Sequence, residues 1–400
     1  MDVHAAGAAR QGVDGGLGKG RTRVGLHFGP MPGLSKSRTG VHAPKRESAL
    51  LTTGQGAAAS GCRPGPASGK VSMTRALITG VTGQDGAYLA ALLLGKGYEV
   101  FGLMHRPGSA EAVAERLRLL GCAGQVRRVD GNLTDLASLV RLLEEARPEE
   151  IYNLAAQSNV RMSWHQPLLT LQVTAGGTAN LLEAVRIVCP RARFFQAGSS
   201  EMFGRAATSR QDETTAFRPS SPYASAKYYA HCLTANYRAA FGLFACNGIM
   251  FNHESPLRST EFVMRKITDG AARVSLGLAR TLPMGNLEAR RDFGHARDHV
   301  RAMWLMLQQP APDDYVVATG RASSIRDVCR IAFAHVGLDY EAHVQVDPVH
   351  LRPADLDQTL GDPTRARERL GWTPETTLEA MIGEMVETDL ARLRGRAASG

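Results

Sequence analysis

The chain has 400 residues, 44% apolar and 21% charged, with a formal net charge of +9, enough for a large α/β body with a sizeable core. No run approaches 18 apolar residues, so no membrane-spanning helix is expected. The surplus charge is uneven: residues 1–72 carry ten basic and three acidic side chains, whereas residues 73–400 carry 37 and 35, so the body is nearly neutral and a nucleic-acid surface is not expected.

Residues 1–72 hold fifteen glycines and five prolines without sustained periodicity, a composition that cannot offset its own ordering entropy. Three readings compete: a disordered tail, a targeting segment, and an artefact of the assigned start. The last is preferred because Met73 directly precedes the first strand. From Arg75 the pattern alternates. Apolar β-like runs at 75–79, 98–103, 126–130, 150–154 and 193–197 are separated by helical patterns at about 86–96, 109–120, 135–146 and 170–188. A helix over 222–241 and a strand over 243–249 follow. Alternating strand and helix predicts a doubly wound parallel sheet covered on both faces. Beyond about 250 the pattern loosens into loops, strands and two helices, 297–309 and 324–336, read as a smaller lobe on the sheet edge. In the second of these, Ser324 and Asp327 have capping-box spacing. "AMWLML" (302–307) reads as the core face of a helix packed on the lobe. The six cysteines (62, 122, 189, 232, 246, 329) contain no Cys-x-x-Cys, which fits a reducing cytoplasm and argues against a disulfide framework or structural zinc. His295 and His299 stand four apart without a third ligand in view, so no metal site is expected.

"ALITGVTGQDGAYLAALLL" places Gly80, Gly83 and Gly86 between a strand and a helix. The first permits a tight turn, the second a close approach of a pyrophosphate, the third close packing of helix on strand. The helix N-terminus then holds the phosphates. The second strand ends without the acid that would bind a free ribose 2′-hydroxyl; it offers His105 and Arg106 instead, which favours NADP over NAD.

"SPYASAKYYA" sets Tyr223 and Lys227 four apart, on one face of a helix. A lysine cation beside a tyrosine lowers the phenol's pKa, and the phenolate can take a hydroxyl proton while hydride departs. Ser199, at the end of the preceding strand, can hydrogen-bond the same substrate oxygen. Glu201 in "GSSEMFG" is the carboxylate that needs a reason. It is either an acid/base group or a helix-capping, salt-bridged glutamate.

The glycine fingerprint, "NLAAQS" (153–158) and Tyr-x-x-x-Lys resemble the extended short-chain dehydrogenase/reductase superfamily, which mostly modifies nucleotide sugars on an extended Rossmann fold. Longer segments are more specific. "NGIMFNHESPLRSTEFVMRKI" (247–267), "GNLEARRDFGHARDHVRAMWLMLQ" (285–308), "ATGRASSIRDV" (318–328) and "RPADLDQTLGDPTRARERLGWTP" (352–374) resemble the GDP-mannose 4,6-dehydratase family from about Arg75 to about Leu390. The resemblance implies Ser199, Glu201, Tyr223 and Lys227 as the catalytic set. It implies that Gly80, Thr82, Gly83, Gln84, Asp85, Gly86, Arg106, Asn132, Leu133, Leu154, Ala155, Ala156, Ser158, Lys227, His253 and Arg258 hold the cofactor. Ser158, Asn252, Glu254, Val263, Lys266, Arg291, Arg352 and Asp355 then hold the GDP-sugar. Departures from the family pattern are Ser199 for threonine, Asn132 for aspartate, His105 for the first of two arginines, Asp355 for glutamate, Leu169 for tyrosine, and Leu257 and Ser259 in "ESPLRS".

The expectation is therefore an NADP-binding Rossmann domain over 73–250 and a substrate lobe over 251–395, with the chain crossing back to the first. The expected protein is a cytoplasmic homodimer or homotetramer that converts GDP-mannose to GDP-4-dehydro-6-deoxy-mannose and water. Alternatives are a nucleotide-sugar epimerase, reductase or decarboxylase, and, from another class, a catalytically silent NADP-binding regulator.

Overall fold

A computed structural model describes residues 73–104, 110–350 and 358–398. The readings made on 1–72, His105, Arg106, Arg352 and Asp355 lie outside the described residues.

Seven strands form one parallel sheet: β1 (Arg75–Thr79), β2 (Glu99–Met104), β3 (Arg127–Asp130), β4 (Glu150–Asn153), β5 (Arg193–Ala197), β6 (Ala245–Met250) and, much later, β10 (Asp314–Val317). Their order is β10-β6-β5-β4-β1-β2-β3. Every neighbouring pair is parallel. The strands read as apolar runs because both faces are covered. Leu77 and Phe194 face one layer, with Leu139 and Leu181; Ala76, Ile78 and Phe195 face the other, with Leu89 and Met303. This period of two along a strand feeds two separate cores. The strand order reverses between β1 and β4, and a doubly wound sheet binds its ligand at such a switch point, beyond the carboxyl ends of the strands.

The helices of this part are α1 (Gln84–Gly95), α2 (Ala110–Leu119), α3 (Leu136–Ala146), α4 (Val160–His165), α5 (Pro167–Thr170), α6 (Gly177–Val188) and α7 (Pro222–Phe241). The helix expected over 170–188 is longer and broken. Pro167 has no N–H to continue α4 and opens α5 instead, and Leu171–Gly176 is a π-helical turn before α6.

Beyond β6 lie β7 (Asn252–Glu254), α8 (Val263–Ser275), β8 (Leu282–Met284), β9 (Arg290–His295), α9 (Ala296–Leu307), β11 (Ala322–Ser324), α10 (Ile325–His335), β12 (Val344–Val346), β13 (Gln358–Thr359), α11 (Thr364–Leu370) and α12 (Leu378–Ala398). Among the described residues, five helices therefore stand where two were expected. α8, α10 and α12 enclose a further core around Ile267, Val328, Phe333 and Ile382. Between α8 and α12 the buried Arg265 pairs with Asp389 at 2.7 Å, and Thr268 donates to the same carboxylate. α9 corrects the reading of "AMWLML". Met303, Met306 and Leu307 pack with Leu89, Leu93 and Phe195 of the seven-stranded sheet, so this helix covers the sheet and not the lobe. The capping box of α10 is formed in both directions. β7 and β9 run parallel, Asn252 opposite Phe293 and Glu254 opposite His295. This register brings the "FNHESP" segment beside "RRDFGH".

Candidate active site

The glycine-rich turn joins β1 to α1. Gly80 has φ +69°, open to glycine at little cost. A side chain at Gly86 would run into the Gly80 carbonyl and the Val81 backbone. Gly83 occupies the N-cap of α1 and, among the described residues, no side chain caps that helix, so its first N–H groups are left for an anion. These features fit a dinucleotide diphosphate. Gly86→Ala is expected to cost about 1–3 kcal/mol of stability from overpacking and to weaken dinucleotide binding, read by thermal unfolding and equilibrium titration.

The turn is tied to its surroundings by charged groups. Asp85 accepts from His253 Nε2 at 2.9 Å, and His253 Nδ1 lies 2.7 Å from the Phe251 carbonyl. Both ring nitrogens thus face acceptors, and His253 is held as the imidazolium. Burial alone would lower the imidazole, but the Asp85 charge and hydrogen bond outweigh it and raise its pKa. Burial would raise the Asp85 carboxyl, but the charges of His253 and Arg258 outweigh that and hold it well below the carboxylate range. His299, stacked on His253 at 4.5 Å, is driven well down by burial and is neutral. Gln84 donates to the His253 carbonyl and accepts from Ser255. Arg116 of α2 donates to the Thr82 and Leu257 carbonyls at 2.9 and 2.8 Å. The dinucleotide turn and the "FNHESP" segment are therefore one hydrogen-bonded unit.

Around the other predicted cofactor residues, Leu154 and Ala155 donate their backbone N–H groups to Thr79 Oγ1, and Ala156 and Ser158 continue that loop toward α4. The Asn132 carboxamide oxygen accepts from Thr134 and shapes the turn after β3, and Leu133 is buried against Gly177. Arg258 pairs with the buried Glu254 at 3.3 Å and covers the Phe262 ring at 3.6 Å. Burial raises the Glu254 carboxyl.

The residues expected to be catalytic lie just beyond the carboxyl end of β5 and in the first turns of α7. Ser221 N-caps α7 and Pro222 takes its first position, the residue types such a start favours. Tyr223 falls in the first turn and Lys227 one turn on. Ser199 caps the short 3-10 turn Ser200–Phe203, its Oγ accepting from the Glu201 N–H at 3.2 Å. The Ser199 side chain also acts on the Tyr223 phenol and favours its charged form. The half-buried Glu201 acts on Tyr223 through its charge. Lys227 donates to the Ala197 carbonyl at 2.8 Å, with its ammonium 5.9 Å from the centre of the Tyr223 ring. Burial pushes Lys227 down to about 8 and Tyr223 up to about 12. The expected lowering of the phenol by Lys227 is therefore outweighed, because the ammonium is turned to a carbonyl and the ring is enclosed.

Of the residues expected to hold the sugar nucleotide, Asn252 and Glu254 lie on β7, Arg291 on β9, and Val263 and Lys266 at the start of α8. The sequence did not reveal the polar residues behind the site: the buried Thr79, Asn153 and Gln196 at the strand ends, the buried Thr178 on α6, and the half-buried Arg116 on α2. A signal existed for Asn153 and Gln196, since each is a polar residue inside an apolar strand and a buried polar group has to be hydrogen-bonded.

The family model described as GDP-mannose 4,6 dehydratase matches residues 77–385. The chain is similar to GDP-mannose 4,6 dehydratase 1 of Arabidopsis thaliana, with 48% identity over 79% of this chain and 89% of that protein. It is also similar to the GDP-mannose 4,6-dehydratase of Yersinia enterocolitica, with 44% identity over 81% of this chain and 96% of that protein. Among solved structures it resembles the UDP-glucose 4-epimerase of Thermus thermophilus in complex with NAD, with a TM-score of 0.69 and 27% identity over 79% of this chain and 99% of that one.

Proposed function

The chain belongs to the GDP-mannose 4,6-dehydratase family, and on that premise we propose that Ser199, Tyr223, Lys227 and Glu201 divide its reaction between them. The enzyme converts GDP-mannose to GDP-4-dehydro-6-deoxy-mannose and water. Tyr223 takes the proton of the C4 hydroxyl, and Ser199 hydrogen-bonds the same oxygen. A phenol held at about 12 keeps its proton at neutrality, so the phenolate that takes the C4 proton needs cationic charge against it; Lys227 is placed to supply it from this chain. A ketone at C4 makes the C5–H acidic. Glu201 takes that proton and delivers one to the C6 hydroxyl, which leaves as water. The dinucleotide, when bound, supplies a cationic ring, the acceptor for hydride from C4 and the donor that returns it to C6.

The observation that carries this reading is the gathering of Ser199 and Glu201 around the Tyr223 phenol, with the Lys227 ammonium 5.9 Å from its ring, between the end of β5 and the start of α7. NADP is the cofactor proposed within the dinucleotide class. β2 ends at Met104 without a carboxylate for a free 2′-hydroxyl. A homodimer or homotetramer is proposed, supported by exposed Met162, Trp164, Leu168 and Leu171 on consecutive short helices and Tyr229 on α7. A cytoplasmic setting is proposed because Cys122, Cys189, Cys232, Cys246 and Cys329 are free thiols. Among the described residues no helix is long and apolar enough to cross a membrane.

Purified protein with GDP-mannose and a catalytic amount of NADP is expected to form the 4-keto product without stoichiometric reductant. Turnover that consumes NADPH, or activity confined to uridine or thymidine diphosphate sugars, would contradict the reading. The pH dependence follows from Lys227. Its cationic form is lost as pH rises through about 8, so kcat is expected to fall along an alkaline limb near that value. A kcat flat to pH 10 would remove Lys227 from the step.

A further inference from the structure

A chain of buried hydrogen bonds crosses the sheet behind the catalytic residues. Thr79 Oγ1 lies 2.7 Å from Asn153 Oδ1. Asn153 Nδ2 lies 2.8 Å from Gln196 Oε1 and 3.2 Å from Thr178 Oγ1. Gln196 Nε2 lies 3.1 Å from the Ala197 carbonyl, the same oxygen that accepts from Lys227 Nζ at 2.8 Å. Thr79, Asn153, Thr178 and Gln196 are each no more than 2% exposed.

The direction of every bond is forced by its ends. Thr79 Oγ1 already accepts from the N–H groups of Leu154 and Ala155, so its own proton goes to Asn153 Oδ1. That fixes the carboxamide, turns Nδ2 to Gln196 Oε1, and leaves Gln196 Nε2 to donate to Ala197, whose carbonyl can only accept. Chains aligned in this way reinforce each other. They run from the strand end that carries the glycine-rich turn to the oxygen that anchors the catalytic lysine.

We propose that Gln196 is the positioning residue for Lys227: its amide occupies one lone pair of the Ala197 carbonyl, so that the ammonium is confined to the other and held facing Tyr223. The proposal rests on the reading of Lys227 as the cation of the C4 step. The amide N–H also presents the positive end of its dipole to the ammonium and competes for the same oxygen, which disfavours the charged form. Burial acts in the same direction on Lys227. The other ionisable groups around this pair are Tyr223 on the lysine's own helix, Asp85 from the glycine-rich turn, and Glu201 and Arg258, which act on Tyr223. Of these, Asp85 favours the ammonium.

The test is the pH profile of kcat in Gln196→Met and Gln196→Glu. The first keeps the length and removes the donor. The second keeps the acceptor for Asn153 and replaces the competing donor with a carboxylate. Both are expected to move the alkaline limb upward, by about half a pH unit or more, with the larger move in Gln196→Glu. In Gln196→Met kcat at its optimum falls by about tenfold through lost orientation, and KM for GDP-mannose changes less than twofold. A lesion confined to stability would lower activity at every pH and leave the limb where it was, and that result in either folded variant would overturn the proposal. A wild-type enzyme without a limb near 8 would instead sink the reading of Lys227 on which the proposal rests.

Discussion

Tyr223→Phe is expected to lower kcat for GDP-mannose by about a thousandfold, within the range for loss of a general base. The variant loses one oxygen and keeps the ring that fills the site, so the fold and dinucleotide binding are expected to persist. KM changes little, because Ser199 still meets the substrate oxygen. The lesion lies at the first proton transfer, so neither the 4-ketone nor any later species accumulates. Single-turnover absorbance of the dinucleotide with GDP-mannose reads this directly: no reduced nicotinamide forms on the enzyme. A loss smaller than about tenfold would place the base elsewhere.

Glu201→Gln produces a different failure. The amide keeps the volume and a hydrogen-bonding end but cannot accept the C5 proton. Oxidation at C4 is therefore expected to continue, while elimination of water falls by about two orders of magnitude or more. Reduced nicotinamide accumulates in the first turnover, and exchange of solvent deuterium into C5 is suppressed. The two variants thus separate the halves of the reaction, one blocked before the ketone and the other after it. Unchanged elimination in Glu201→Gln would return this residue to the alternative reading, a capping or salt-bridged glutamate.

The Rossmann half of the fold was legible because its signals are local. β1 and β5 begin and end where the apolar runs do, and Ser221-Pro222 marks the start of α7 as the caps of helices require. The later half hid its helices. α8 carries Gly270 inside its pattern, a position where a side chain would meet Leu282. α12 does bury one side, through Met381, Ile382, Met385, Val386, Leu390 and Leu393, but Gly383 and Asp389 interrupt that pattern. α9 showed an apolar face clearly enough, but periodicity does not say which partner a face will meet, and "AMWLML" was assigned to the lobe when it covers the sheet.

The site divides in the same way. Ser199, Glu201, Tyr223 and Lys227 could be found because their spacing is short and their chemistry interlocks. The relay behind Lys227 could not, because Thr79 and Asn153 stand 74 residues apart and Asn153 and Gln196 43 apart. The Asp85–His253 pair spans 168 residues. Such contacts are made by the strand order, which no single segment encodes. The raised phenol of Tyr223 was hidden for a related reason: spacing brings Lys227 to the same face, but only packing turns its ammonium to Ala197 and encloses the ring.

One enzyme oxidises C4, loses water across C5 and C6, and returns the same hydride to C6. GDP-mannose deuterated at C4, with purified enzyme and a catalytic amount of unlabelled NADP, tests it in one mass and NMR measurement. The expected result is a 4-keto product with the deuterium in its C6 methyl group. Deuterium retained at C4, or recovered in bulk reduced cofactor with no label at C6, would contradict it.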